Sequence, residues 1–268
     1  MRIGNKTFDT EHCGYIMGIL NVTPDSFSDG GKFNRLDAAL KHVDEMLRDG
    51  ADIIDVGGES TRPGYTLISD EEEIERTAPV LEAIKKEFDV PVSLDTYKSE
   101  VARAGILAGA DLINDVWGLK WDGTMAVVLA ETKTPSCLMH NRKKAEYQDF
   151  LKDVVADLQE TMDIAAQAGI EKDTIMLDPG IGFAKDLDQN LQMMNHLELL
   201  SQWGVPVLLG TSRKSMIGMT LDLPSDQRVE GTVATTVSGY LKGCRFFRVH
   251  DVKENKRALR MIEAISTH

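Results

Sequence analysis

Eight short apolar runs, each closing on polar or turn residues and each followed by a helical stripe, recur along the 268 residues of this chain. The first is Tyr15–Leu20, ended by Asn21, and the others are Asp52–Gly57, Pro91–Asp95, Asp111–Val116, Pro135–His140, Ile175–Asp178, Val205–Gly210 and Arg245–His250. Runs of this length are strands, and strands that alternate with amphipathic helices pair in parallel, because each helical crossover brings the next strand back in the same direction. Helical patterns fall at residues 34–49, 70–87, 98–109, 123–132, 148–168, 187–202, 213–219 with 226–242, and 252–265. In the first of them Leu36, Leu40, Val43 and Leu47 make the stripe and Asp49-Gly50 stops it. Eight such units favour closure over an open sheet, so the expected fold is α/β, a single (β/α)8 TIM barrel spanning residues 1–268. Residues 2–10 turn about Gly4-Asn5-Lys6 and predict a short N-terminal β-hairpin that plugs the barrel bottom.

A formal net charge of −13 excludes a general nucleic-acid binder, which would carry a basic footprint, so any anionic ligand must be held locally. Cys13, Cys137 and Cys244 are odd in number and lack metal-type spacing, which predicts neither a disulfide framework nor a zinc site. Cys137 and Cys244 lie in or beside apolar strands and are expected to be small buried side chains. The first ten residues hold no apolar core of signal-peptide length and no uninterrupted apolar run approaches membrane-spanning length, so a cytoplasmic enzyme with no membrane partner is expected.

Period-two alternation sorts each strand into an outward face against the helices and an inward one. Val92 and Leu94 face out, leaving Ser93 and Asp95 inside; Phe247 and Val249 face out, leaving Arg248 and His250 inside. By the same rule Ile19 goes with Asn21, Leu112 with Asn114, and Met176 with Asp178. The barrel top therefore collects Asn21, Asp55, Asp95, Asn114, Asp178, Arg248 and His250. Unpaired charge is costly to bury, and such a gathering at the catalytic face of a barrel points to function. Asp55, just before Gly57-Gly58, is expected to hold loop amides, and Asp115 to cap its own loop. Residues 22–33, 58–69 and 140–147 are long connections on the same face and candidate lids. Trp117, Trp121 and Trp203 are expected to pack rather than to stack on a ligand.

Gly210-Thr211-Ser212-Arg213-Lys214-Ser215 opens a helix after the seventh strand, and a glycine turn with hydroxyls at a helix start predicts an anion site built from backbone N–H groups. Arg213 and Lys214 have the wrong sign for that helix end, which a bound anion would offset. With Arg62, Arg248 and His250 they make a cationic rim suited to a diphosphate or similar ligand.

Asn21 to Gly31, NVTPDSFSDGG, and Asp55 to Gly64, DVGGESTRPG, resemble the two signatures of dihydropteroate synthase, a folate-synthesis enzyme. Ser93-Leu94-Asp95-Thr96, Leu112 to Val116, Leu138-Met139-His140, Leu177 to Phe183, Gly210 to Lys214 and Arg248-Val249-His250-Asp251 are similar to further motifs of that family in order and spacing, so the likeness covers the whole chain. It implies an Mg²⁺ cofactor contacted by Asn21, and diphosphate contacts from Thr61, Arg248 and His250. Around a pterin ring it implies Asp95, Asn114, Asp178 and Lys214, with Met139 lining the pocket, and for 4-aminobenzoate it implies Ser212, Phe183, Arg62 and Pro63. A flat ring edge of N–H donors and one carbonyl calls for carboxylate and amide acceptors plus a lysine donor, which these positions supply. Asp95, Lys214, Arg248 and His250 would be catalytic, the substrates a pterin diphosphate and 4-aminobenzoate, and the assembly a homodimer, for which the helices at 226–242 and 252–265 are candidate faces. A barrel that binds a pterin only for methyl transfer would keep Asp95, Asn114 and Asp178 but would not need Thr61, Lys214, Arg248 and His250. An inactive pterin binder would show degraded loops, and both signatures are intact.

Overall fold

The computed structural model describes residues 1–23, 32–59 and 67–268. Strands β1 (Arg2–Ile3) and β2 (Lys6–Thr7) form the antiparallel N-terminal hairpin. The barrel strands are β3 (Tyr15–Asn21), β4 (Ile53–Gly57), β5 (Val92–Asp95), β6 (Leu112–Asp115), β7 (Ser136–Met139), β8 (Ile175–Asp178), β9 (Leu208–Leu209) and β10 (Phe246–Val249). They pair in parallel in the order β8-β7-β6-β5-β4-β3-β10-β9. A bridge between Leu177 and Val207 closes the ring, with Leu177 N–H donating to the Pro206 carbonyl at 3.0 Å. This is the expected eight-stranded barrel.

Around it run α1 (Lys32–Asp49), α2 (Asp70–Glu87), α3 (Ser99–Leu107), α4 (Met125–Thr132), α5 (Phe150–Ala168), α6 (Leu187–Asn195), α7 (Ser215–Leu221), α8 (Val229–Leu241) and α9 (Val252–Ser266). Ser69 caps α2 by accepting from Glu72 N–H, and Asp186 with Gln189 makes a reciprocal capping box on α6. Two expected elements differ. The helix placed at 187–202 is α6 followed by a separate 3-10 segment, Leu197–Trp203, because His196 leaves helical geometry at φ −126° and ψ 32°. The strand placed at Val205–Gly210 is only two residues long, since Pro206 has no N–H to give to a ladder.

Alternation places two cores. The outward set, with Leu20, Val56, Val92, Leu94, Leu177 and Phe247 among its members, packs on the helices. Inside the barrel Met17, Ile53, Leu112, Cys137, Met176, Leu208 and Phe246 form one layer. Ile3 and Phe8 join this layer, with the Phe8 ring 4.8 Å from Tyr15 and 5.6 Å from Phe246, so the N-terminal segment stoppers the bottom as predicted. An apolar floor sealed from below leaves the inward residues above it, Asp55, Asp95, Asn114, Asp178 and Arg248 among them, facing the open C-terminal mouth. No helix among the described residues is long and apolar enough to cross a membrane.

Candidate active site

Arg248, inward on β10, reaches across the mouth and donates from Nε to Asp55 Oδ2 and from Nη2 to Asp95 Oδ2, each at 2.6 Å. Nη1 makes no hydrogen bond among the described residues, so one edge of the fork remains for an anion. Asp55 thus serves Arg248 rather than loop amides, because its place on β4, level with Ile19 and Ser93, points it into the barrel. Asp115 caps its loop as expected, accepting from Trp117 N–H at 2.8 Å and Leu119 N–H at 2.7 Å. Among the described residues, Asp55 Oδ1 and Asp95 Oδ1 are buried without a hydrogen-bond partner. Burial pushes the Asp95 carboxyl up to about 7, against the pull of Arg248.

Asn21, Gly57, Asp95 and Asn114 are successive register partners across β3 to β6, and Met139 is level with Asp178 across β7 and β8. A Cβ placed on Gly57 would lie 3.6 Å from Asn21 Oδ1 and 3.8 Å from Asp95 Oδ2, so the amide and the carboxylate meet over a glycine. A Cβ on Gly210 would lie 3.7 Å from Asp178 Oδ2, 3.8 Å from Lys214 Nζ and 4.0 Å from Arg248 Cβ. These groups line one space. Lys214 donates to the Ile181 carbonyl and sits 4.9 Å over the Phe183 ring; burial lowers its ammonium to about 8, with Asp178 pulling the other way. Burial likewise raises Asp178, which Lys214 and the Gly180 N–H, donating at 2.6 Å, oppose. Phe183, Met139, Tyr97, Val116 and Trp117 form one apolar wall, and Trp121 packs 4.7 Å from Tyr97. A cavity of about 280 Å³ opens beside Phe183 between the ends of β6, β7 and β8.

The segment after β9 differs from the expected helix start. Helix α7 begins only at Ser215, Arg213 precedes it at φ +56°, and two of the N–H groups ahead of it are taken: Arg213 N–H by Thr232 Oγ1 and Lys214 N–H by the Thr211 carbonyl, both at 3.1 Å. Asp251 neutralises Arg213 through a two-pronged ion pair. What the segment does supply is Ser212, whose Oγ accepts from His250 N–H at 3.1 Å and meets His250 Nδ1 at 3.0 Å, fixing that ring beside Arg248. Thr61, Arg62 and Pro63 lie outside the described residues, as does much of the two earlier connections proposed as lids.

The third connection, 140–147, is fastened rather than free. Arg142 grips Asp157 of α5 from Nε at 2.5 Å and Nη2 at 3.1 Å, His140 Nε2 meets the same carboxylate at 2.9 Å, and Tyr147 donates to the Ala184 carbonyl at 2.8 Å. Although burial raises the Asp157 carboxyl, those bonds hold it far below the usual range. Lys185, two residues beyond the Leu177–Phe183 motif and not expected as a site residue from the sequence, joins His140 to the turn after β8. A second group that sequence reading missed is Glu59, which accepts from Ile68 N–H at 2.8 Å and Tyr97 O–H at 2.7 Å, with Lys98 set between it and Glu73. Only contact between distant segments reveals either group; the position of Glu59 inside a signature was the one hint.

Magnesium keeps several waters and takes few protein ligands beside substrate phosphates. A hard amide oxygen, Asn21 Oδ1, at the rim next to Arg248's carboxylates fits that manner of binding. Residues 17–250 match the model of the pterin binding enzyme family. The chain belongs to that family. Within it, the chain is 59% identical over 266 residues to the dihydropteroate synthase of Clostridium beijerinckii, covering 99% of each sequence. It is similar to the crystal structure of a dihydropteroate synthase from Clostridium difficile in the presence of pteroic acid, with a TM-score of 0.94 at 48% identity over 97% of this chain and 99% of that one. A Xanthomonas albilineans dihydropteroate synthase with 4-aminobenzoic acid gives a TM-score of 0.92 at 41% identity, over 97% and 96%. These relatives are dihydropteroate synthases, not methyl-transfer barrels.

Proposed function

We propose that this chain condenses (7,8-dihydropterin-6-yl)methyl diphosphate with 4-aminobenzoate, giving 7,8-dihydropteroate and diphosphate for folate synthesis. The observation that carries the reading is one arginine, Arg248, held by two inward carboxylates within reach of Lys214 and Asp178. Asp95, Asn114 and Asp178 would accept from the ring edge of the pterin, Lys214 would donate to its carbonyl, and Met139 would lie against its face. The bond from the methylene carbon to the diphosphate oxygen breaks with its electron pair leaving on the diphosphate. Arg248 through its outward edge, His250 and Thr61 would receive that charge. Asn21 would hold Mg²⁺ through its amide oxygen, and the ion, when bound, supplies further charge to the leaving group.

Asp95, a carboxylate paired with Arg248 at the mouth, favours a cationic methylene, which makes the substitution dissociative and removes the need for a protein nucleophile. The amine of 4-aminobenzoate, seated by Phe183, Ser212, Arg62 and Pro63, then forms the carbon–nitrogen bond and sheds one proton to solvent. The test is incubation of the purified chain with both substrates and Mg²⁺. One diphosphate should appear per 7,8-dihydropteroate, and chelation should stop it; no product with Mg²⁺ present would overturn the reading.

A homodimer and cytoplasmic residence belong to the same reading. Leu241 on α8 and Met261 and Ile265 on α9 stand 64%, 60% and 59% exposed, an apolar face suited to a second copy. The three cysteines are free thiols, in keeping with a reducing compartment. Sedimentation should give about twice 29.7 kDa, and a monomer would refute the dimer.

A further inference from the structure

Lys185 and His140 take no part in the reaction above, yet they are bound to one another and to the turn that carries its residues. Lys185 Nζ lies 2.8 Å from His140 Nδ1, 2.9 Å from the Gly180 carbonyl and 3.1 Å from the Phe183 carbonyl. Burial lowers the Lys185 ammonium to about 7, with Asp178 pulling the other way, and when charged its three protons meet three acceptors. The imidazole suits its share: the Asp157 carboxylate accepts from Nε2, so Nδ1 carries the lone pair, and burial, lowering His140 to about 4, keeps the ring neutral. Arg142 in turn holds Asp157, so a line of bonds runs from α5 through β7 into the turn after β8.

That turn delivers two groups to the mouth. Phe183 presents its ring beneath the Lys214 ammonium, and the Ile181 carbonyl receives the Lys214 N–H. Asn190 Oδ1 accepts from Gly182 N–H at 2.6 Å, which secures the middle of the turn from α6. Among the described residues Lys185 alone holds the carbonyls of Gly180 and Phe183 through one group, and with the Phe183 N–H bond to the Gly180 carbonyl at 3.1 Å it sets the span from Asp178 to the aromatic ring.

We propose that Lys185 is a positioning residue for the second substrate, acting through Phe183 by clamping the Gly180–Phe183 turn against β7. The proposal rests on the reading that Phe183 seats 4-aminobenzoate. Asp178 lies on the strand itself and keeps its own bond from Gly180 N–H, so the pterin side should respond less.

The experiment is steady-state kinetics of the whole chain with Lys185→Met and Lys185→Arg, varying each substrate in turn. Lys185→Met should raise KM for 4-aminobenzoate about tenfold while kcat and KM for the pterin diphosphate change less than about threefold. A planar guanidinium cannot turn three N–H groups onto three converging acceptors, so Lys185→Arg should fall between, with KM raised about threefold. A residue that served stability alone would lower the melting temperature and leave KM unmoved. Unchanged KM for 4-aminobenzoate in Lys185→Met, or in Lys185→Arg if the methionine variant does not fold, overturns the proposal while leaving the function standing. An inert wild-type chain would instead remove the function and this inference together.

Discussion

Asp95→Asn should lower kcat/KM for the pterin diphosphate by about a hundredfold or more, the usual cost of removing one preorganised charge from a developing transition state. The variant keeps the shape and one acceptor oxygen, so a Lys or Arg partner is not lost for steric reasons. It removes the anion that faces the reacting methylene and one of the two carboxylates that aim Arg248. The pH profile provides a second reading of the same variant. In the free chain burial raises Asp95 to about 7 and lowers Lys214 to about 8. Wild-type kcat/KM should therefore climb as pH rises through the first value, where Asp95 ionises, and fall as pH passes the second, where Lys214 loses its proton. The asparagine variant should lack the acid limb and keep the alkaline one. Full turnover by Asp95→Asn would deny that carboxylate its role.

Gly180→Ala should be among the most damaging single substitutions to stability. Gly180 sits at φ +69°, and a Cβ there would lie 2.0 Å from the carbonyl oxygen of His140, which is backbone and cannot swing aside. His140 N–H is itself bonded to the Asp178 carbonyl, so the two strand ends are locked together where the clash falls. Left-handed backbone costs a non-glycine residue about 1–2 kcal/mol, and forced overpacking adds about 1–3 kcal/mol. A loss of about 3 kcal/mol should lower the melting temperature by about 6–12 °C in a chain of this size. Gly169→Ala is the control, since Gly169 has φ +82° but nothing within 4 Å of its Cβ. It should show the backbone cost alone. Equal melting temperatures for the two variants would mean that the His140 carbonyl yields, contrary to the locked geometry.

Local rules were enough for part of the fold. Two-residue alternation is a property of extended backbone, so Asp95, Asp178 and Arg248 could be placed inside from their strands alone, and the helix contacts of Val92, Leu94 and Phe247 with them. The βα alternation set the direction of every strand, and the hairpin's apolar residues found the barrel floor. The pairings came from closure of the barrel. Asp55 met Arg248, 193 positions away, instead of its neighbouring amides, because the closed ring puts β10 beside β3 and aims an arginine across the mouth. Arg213 turned to Asp251, and its backbone N–H to Thr232, which took one expected donor from the approach to α7. Lys185 and His140, 45 positions apart, met only because β7 and β8 are adjacent. A side chain's direction follows from its own backbone, whereas its partner follows from how all eight strands close, and no local pattern records that.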